Sequence, residues 1–432
     1  MGAVKISSWG MLTNEEADVV DIFEQSQVLP AMQGAQSSIA YGLGRSYGDV
    51  CLNPGGRVIR MQGLSQFIAF DESNGLLTCG AGVTLADISN TFIPRGWRLA
   101  VVPGTEQVTV GGAIGNDVHG KSHHAHGSFS RQVERFWLQR SDQGLLEVSR
   151  EAHPELFAAT VGGIGLTGII VAATLRMIRV PGPWIDSETI AFEGVGEFER
   201  ISDEWGDWEN TVAWIDCVSG SDARGLFTRG NFTEGGPAPK ASPHLAVPVK
   251  FPVSAVNGVT LRAFNTVYFE AGKRKSGRTV QHYKPFFFPL DAIGDWNRVY
   301  GPRGFFQYQS VIPPEHAAAA TKEMLDVIRA SGQGSFLAVL KRFGSLPSEG
   351  MLSFPRPGTT LAIDFTNLGA KTHELMQRLD EVVLAAGGRL YLAKDARMPR
   401  SMFEAGYPLA AEFSKWRDPA LGSAMSARLL GA

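Results

Sequence analysis

The chain has 432 residues, 44% of them hydrophobic and 19% charged, with a formal net charge of -3. The apolar share excludes a disordered chain, the near-neutral charge excludes a general nucleic-acid binder, and the length supplies core for two to three domains. Glycine is the outlier, with 50 residues, about 12% against a usual share of about 7%, and no three-residue period that would mark collagen.

The N-terminal stretch MGAVKISSWGMLTNEEADVVDIF lacks a long apolar core and reads as no signal peptide, and no run of about 18 apolar residues marks a membrane span. The expected location is cytoplasmic, with peripheral membrane contact left open. Three widely spaced cysteines, Cys51, Cys79 and Cys217, form neither a disulfide framework nor a metal knuckle.

Taken in chain order, residues 14–25 carry an N-cap-like Asn14 and acidic residues in the first turn, which predicts a helix. Strands are predicted at 55–61, 75–82 and 131–144, where β-branched and aromatic residues lie between turn residues. Helices are predicted at 83–96, capped by Thr84, and at 153–163, and a β-branched run follows at 169–178. Pro181, Gly182 and Pro183 mark a boundary. Beyond it, 255–269 and 303–313 read as strands, 314–332 and 372–388 as amphipathic helices ending in glycine, and 335–344, 359–365 and 388–395 as strands. Strands and helices interleave into an α+β architecture.

Charge is uneven. Between Lys240 and Pro285 eight basic residues face one acid, Glu270, so this segment is +7 and the remainder -10. It abuts YKPFFFPL, residues 283–290. A basic, aromatic segment is either a solvated loop over buried phenylalanines or a cationic lip for an anionic substrate or lipid surface.

Three stretches concentrate glycine: 42–49, 103–121 and 162–168. The third holds a literal GxGxxG, but a helical pattern precedes it and a β-branched run follows, the reverse of a Rossmann site. No GxxxxGK[ST] occurs, so a P-loop is also excluded. The first two loops can bind anions through backbone N–H groups or can simply be tight turns. Four of nine histidines lie in HGKSHHAHG, residues 119–127, with Asp117 as the one carboxylate nearby, no thiol and no helical HExxH pattern, so no metal is expected.

The stretches YGLGRSYGD (41–49), VPGTEQVTVGGAIGNDVHGKSHHAHGSF (102–129) and GGIGLTGII (162–170) resemble the FAD-binding domain of vanillyl-alcohol-oxidase type flavoenzymes. PLDAIGDWNRVYGPRGFFQYQ (289–309) and GGRLYLAKDARM (387–398) are similar to the decaprenylphosphoryl-β-D-ribose 2′-oxidase family. The resemblance runs along nearly the whole chain in the same order. It implies an α+β, two-domain fold: an FAD-binding domain over residues 1–181, an inserted mixed-sheet substrate domain over 182–388, and a segment 389–432 that returns to the FAD-binding domain. It implies FAD as cofactor and oxidation of the 2′-hydroxyl of a polyprenylphosphoryl ribose to a ketone. A partner NAD(P)H-dependent keto-reductase then completes epimerisation to the arabinose donor for cell-wall arabinan, and a quinone-like acceptor or, slowly, oxygen reoxidises the flavin.

Residue by residue, the resemblance assigns flavin contacts to Gly44, Arg45, Ser46, Tyr47, Gly104, Thr105, Gly111, Gly112, Ala113, Asn116, Val118, His119, Gly120, Ile170 and Tyr391. Lys121, Gln307, Gln309, Lys341, Phe343 and Lys394 fall on substrate-pocket positions. Lys394 is the catalytic candidate, by stabilising reduced flavin or by accepting the hydroxyl proton after desolvation lowers its pKa, with Tyr47 and His119 as alternative proton relays. Ser46 stands where covalent members carry His, so the FAD is expected to be non-covalent. Ala362 and Thr360 replace a Cys and an Asn seen in close members, so no thiol chemistry is expected there. The alternative reading is an FAD-dependent oxidase of a soluble sugar or alditol. A non-enzymatic FAD-binding subunit and a nicotinamide-dependent reductase are further rivals.

Overall fold

The computed structural model describes residues 4–237 and 245–431. A four-stranded sheet begins the chain, in the order Val4–Ile6, Glu15–Asp21, Arg57–Arg60, Ser38–Tyr41, with the last three strands parallel. A five-stranded antiparallel sheet follows, in the order Phe67–Asp71, Leu76–Gly80, Ile169–Arg176, Val133–Arg140, Gly144–Ser149. Its core of Leu77, Val110, Phe136, Val148 and Ala173 is fully buried.

The predicted helix at 14–25 is a strand. Glu15–Asp21 sits between two neighbours, and Asp18 and Asp21 pair across the sheet with Arg57 and Arg60. Val19 and Val20 suit that pleat, and cross-strand pairing outweighs the local cap signal at Asn14. Helix Leu85–Phe92 does form where predicted, with Thr84 and Asp87 closing a capping box. The literal GxGxxG follows helix Pro154–Thr160 and leads into strand Ile169–Arg176, as the sequence order required.

An eight-stranded sheet occupies the second half, in the order Gly277–His282, Trp184–Glu193, Arg224–Thr233, Asn210–Ile215, Ala338–Phe343, Gly358–Thr366, Phe305–Ile312, Arg389–Leu390. The expectation of a mixed sheet is corrected: every neighbouring pair in it is antiparallel. The reason is an insertion. Phe305–Ile312, helix Pro314–Ser331 and Ala338–Phe343 make a strand–helix–strand unit, and Gly358–Thr366 lies between its two strands, antiparallel to both. Helices Gly194–Glu204, Pro314–Ser331 and Ala370–Ala385 cover one face through Phe198, Leu325, Met324, Leu379 and Val383. The other face is left to the cavity described below.

Two further expectations are corrected. Residues 255–269 are not a strand but the start of helix Gly258–Arg274, whose N-cap Asn257 accepts from the N–H groups of Val259 and Thr260. Leu261, Asn265 and Phe269 form its buried stripe at a spacing of four. The strand predicted at 388–395 stops after Leu390, because Lys394 and Asp395 both donate back to the Tyr391 carbonyl in a turn. The three phenylalanines at 286–288 are buried, in a small core with Ile93, Val180 and Ile185.

The C-terminal segment returns to the first half. Ser38 bridges Leu421, Ala424 donates to Leu52, and the Asp418 carboxylate accepts from the backbone and hydroxyl of Ser141.

Candidate active site

A cavity of about 1230 Å³ lies between the glycine loops of the first half and the open face of the eight-stranded sheet. The glycine wall is built from 42–47, 103–105 and 111–121, and it is rich in unspent backbone donors. The N–H groups of Leu43, Gly44, Arg45 and Ser46 find no acceptor among the described residues, and neither do those of Gly104, Thr105, His119, Gly120 and Lys121. Consecutive free N–H groups of this kind form an anion-binding nest. Gly44 has φ +61, which favours glycine, and a Cβ there would lie 2.0 Å from Tyr41 Oη. A Cβ on Gly120 would lie 1.9 Å from the Val102 carbonyl oxygen.

Gly111 and Gly112 open a short helix, Val110–Gly115, that the sequence reading missed. Its signal was Thr109, whose hydroxyl accepts from Gly112 N at 3.2 Å. The first N–H groups of this helix are already used, by Val83 and Ala81 carbonyls and by Thr109, so its glycines serve close approach rather than donation.

The opposite wall follows from strand alternation. Gln307 and Gln309 point to one face of Phe305–Ile312, and the register places Gln307 opposite Asp364, Gln309 opposite Ala362, and Lys341 opposite Thr360. Tyr308, between the two glutamines, points to the helix layer and donates to Asp380 at 3.0 Å. Trp214, Leu226 and Thr228 extend the cavity face along neighbouring strands.

Lys394 enters from the turn after Leu390, and two interlocks hold that turn. Tyr47 N donates to Ala393 O at 3.0 Å, and Tyr391 Oη donates to Asn116 O at 2.8 Å. The Lys394 ammonium lies 3.8 Å from the Tyr47 ring centroid. Burial pushes its pKa down to about 7, against the pull of Asp364, and Lys341 adds to the fall. Lys341 is pushed down to about 8 by burial, and Lys121 to about 7 by burial and then by Lys341. Lys121 also donates to Phe287 O at 3.0 Å.

Asp364 is the residue that sequence reasoning missed. It is fully buried, accepts from Gln307 Nε2 at 2.7 Å through one oxygen, and leaves the other unpartnered. Burial pushes its pKa up to about 7, countered by Gln307 and Lys394. Its alternation with Ala362 on a cavity-facing strand was the available signal.

Of the predicted residues, Gly44, Arg45, Ser46, Tyr47, Gly104, Thr105, Gly111, Gly112, Asn116, Val118, His119, Gly120, Ile170 and Tyr391 all line the cavity, as do Lys121, Gln307, Gln309, Lys341 and Lys394. Two do not. Ala113 is sealed in the core of the first half, and Phe343 packs behind the site, edge-on to His119 at 4.9 Å. His119 is a poor relay: Gln309 Nε2 meets its Nε2 at 2.9 Å, and burial and then Lys341 hold it neutral. Tyr47 is likewise held as phenol, its pKa raised by burial and then by Asp364. The other clustered histidines are committed elsewhere: His123 packs on Phe343, His124 meets Trp208 O at 2.6 Å, and His126 meets Glu209 at 2.6 Å. Cys51, not position 362, puts a thiol at the cavity wall, and burial pushes it up to about 12, which leaves it inert.

The basic lip divides. Lys284 pairs with Glu106 at 3.0 Å and Arg278 pairs with Asp186, while Lys275 lines the cavity. Lys240 lies outside the described residues.

A dinucleotide with a flat ring system fits this donor set. The nest at 43–46 and the buried, unpartnered Arg45 Nε and Asn116 Oδ1 are polar groups awaiting partners on one wall, and the near-neutral lysines face them. The family model of an FAD binding domain matches residues 17–146. The chain is 36% identical over 461 residues to the decaprenylphosphoryl-beta-D-ribose oxidase of Mycolicibacterium smegmatis, covering 98% of this chain and 97% of that protein. It is 30% identical to an uncharacterized protein of Streptomyces coelicolor over 78% of this chain and 95% of that one. The L-gulonolactone oxidase of Mus musculus is 28% identical over only 32% of the chain and 31% of its own length. With likeness sustained from one end of the chain to the other, and a cavity whose walls suit a flavin, the chain belongs to the decaprenylphosphoryl-β-D-ribose oxidase family of FAD-dependent oxidoreductases.

Proposed function

We propose that this enzyme oxidises the 2′-hydroxyl of a polyprenylphosphoryl-β-D-ribose to the 2′-ketone. The observation that carries the reading is the meeting of Lys394, Asp364, Gln307 and Lys341 on the sheet wall, across one cavity from the glycine nest. Residues 1–181 and 389–432 form the FAD-binding unit in this reading, and 182–388 the substrate unit. Residues 43–47, 104–105, 116–120 and Tyr391 would hold FAD without a covalent bond, since Ser46 offers no imidazole. When bound, FAD supplies the two-electron acceptor that takes hydride from the carbinol carbon.

The chain's own residues handle the proton and the charge. Lys394, with its pKa near neutrality, accepts the hydroxyl proton as the neutral amine. Gln307 orients Asp364, and Asp364 holds Lys394 in place electrostatically. Lys121 and Lys341 supply cationic charge for the substrate phosphodiester. His119 and Gln309 brace one another beside the site and exclude water with Phe343 and Phe354. The ketone product requires a hydride-donating keto-reductase to complete epimerisation, and the reduced flavin requires an oxidant, for which a quinone-like acceptor is proposed.

The test is anaerobic mixing of holoenzyme with a short-chain polyprenylphosphoryl ribose. The oxidised-flavin absorbance band is expected to bleach, and acid precipitation of the same preparation is expected to release the yellow colour into the supernatant. Bleaching by free alditols or lactones but not by the lipid-linked ribose overturns the substrate assignment. Colour retained in the pellet overturns the non-covalent one.

A further inference from the structure

We infer that helix Gly258–Arg274 and the segment before it form a docking surface for an anionic lipid bilayer, which sets the mouth of the active-site cavity against the membrane. This rests on the lipid-linked substrate proposed above and adds the surface that would present it.

Helix Gly258–Arg274 buries only a narrow stripe, Leu261, Asn265 and Phe269. Asn265 anchors it by donating to Asp216 at 2.7 Å. The outward face carries a narrow apolar strip, roughly a quarter of the helix circumference by the 100° step per residue, with Glu270 and Arg274 set into it. It carries Val259 at 80% exposure and Val267 at 68%, with Ala263 exposed between them. Val253, at 72% exposure, and the exposed Leu245, Val249 and Phe251 continue this surface along the preceding segment. No described residue covers these side chains. An apolar surface of this kind on a soluble face marks an interaction site.

Two observations select a bilayer as its occupant. The first is charge. From residue 245 to residue 275 there are five basic residues and one acid. Lys250, Arg262, Lys273 and Arg274 are all exposed and make no ion pair with a described residue. Apolar side chains ringed by unpaired cations match the interfacial zone of an anionic leaflet, in which the former enter the acyl boundary and the latter meet headgroups. The second is continuity with the site. Tyr268, Ala271 and Gly272 of the same helix, and Lys275 just past its end, line the cavity, as do Ala246 and Ile293. A polyprenyl chain attached to the bound sugar would therefore leave the cavity beside the surface that enters the bilayer, and it need not leave the membrane.

The experiment is flotation of FAD-loaded full-length protein with vesicles of phosphatidylcholine alone and of phosphatidylcholine with phosphatidylglycerol at about 30%, a charge density at which each basic residue near the surface counts. The wild type is expected to float with the anionic vesicles and to be released by high salt. The variants V259E/V267E and K273E/R274E are each expected to float at least about tenfold less. Bleaching of their flavin by a short-chain, micelle-free substrate should equal that of wild type, because none of these residues lines the cavity. Flotation of either variant at the wild-type level overturns the proposal, as does a wild type that ignores anionic vesicles. Size-exclusion chromatography distinguishes a second copy as occupant: a dimer that V259E/V267E converts to monomer, with no flotation, also overturns it. Absence of bleaching in wild type with intact flotation would strike the substrate reading and leave the membrane surface standing.

Discussion

Lys394 is the residue on which the chemistry turns, and its environment makes its role measurable. An ammonium surrounded by protein loses hydration, which favours the neutral amine and brings its pKa down to about 7. If the neutral form accepts the substrate proton, the competent fraction rises with pH, so kcat should climb through about pH 7 and then level off. Lys394→Met should retain FAD and lower kcat by about two orders of magnitude or more, the scale of a lost general base. Asp364→Asn removes a carboxylate that favours the ammonium, so the rising limb of the pH profile should move to lower pH. An unmoved limb in that variant would show that Asp364 does not act on Lys394. Steady-state rates across pH, with flavin content measured in parallel, check all three outcomes.

At the scale of elements, the site depends on how tightly the loops of the glycine wall pack against one another. The loop 116–121 follows helix Val110–Gly115 and runs against Val102, so close that a methyl on Gly120 has no room beside the Val102 carbonyl. Gly120→Ala must therefore displace His119 and Lys121, at a cost of about 1–3 kcal/mol, which is roughly 5- to 150-fold in FAD affinity if the strain falls on the bound state. Flavin fluorescence titration of the apoprotein reads this directly, and unchanged affinity would show that the loop can relax away from Val102. Strand alternation explains the other wall in the same terms. A period of two places Gln307, Gln309, Ala362, Asp364 and Lys341 on one face while Phe306, Tyr308, Leu340, Leu361 and Ile363 fill the core beneath the helices.

Across the whole molecule, the C-terminal segment locks the two walls together. Arg428, in helix Ala424–Leu429, reaches both oxygens of Asp49 at 2.9 and 3.0 Å and Asp395 at 2.9 Å, and donates to Met398 O at 2.6 Å. Asp49 ends the first glycine loop and Asp395 follows Lys394, so a single guanidinium ties the flavin-side loop to the catalytic turn. Arg428→Met leaves two largely buried carboxylates facing one another without a counter-ion, a loss of about 3 kcal/mol. Thermal unfolding should show a clear drop in Tm, and FAD should be lost at lower temperature than in wild type. A variant with wild-type Tm would mean that the segment is held by its apolar contacts, Met425 and Leu429, alone.

Much of this was legible in the residues themselves. Capping at Thr84, the reversed order around the GxGxxG, the two long amphipathic helices and the strand at 303–313 are local signals, and the structure follows each one. The motif resemblance identified the family and its cofactor without any coordinates. The failures came where local preference was evenly matched. Residues 15–21 became a strand because neighbouring strands offered hydrogen bonds and arginine partners, and 258–274 became a helix because Asn257 caps it and Asn265 finds Asp216 across the fold. Asp364 carries no motif, and only the antiparallel register beside Gln307, with Lys394 arriving from 30 residues away, makes it part of the site. Thus local composition determined which segments could approach a cofactor. Long-range pairing and burial decided which charges meet there, because desolvation and neighbouring charge exist only once the two walls have closed.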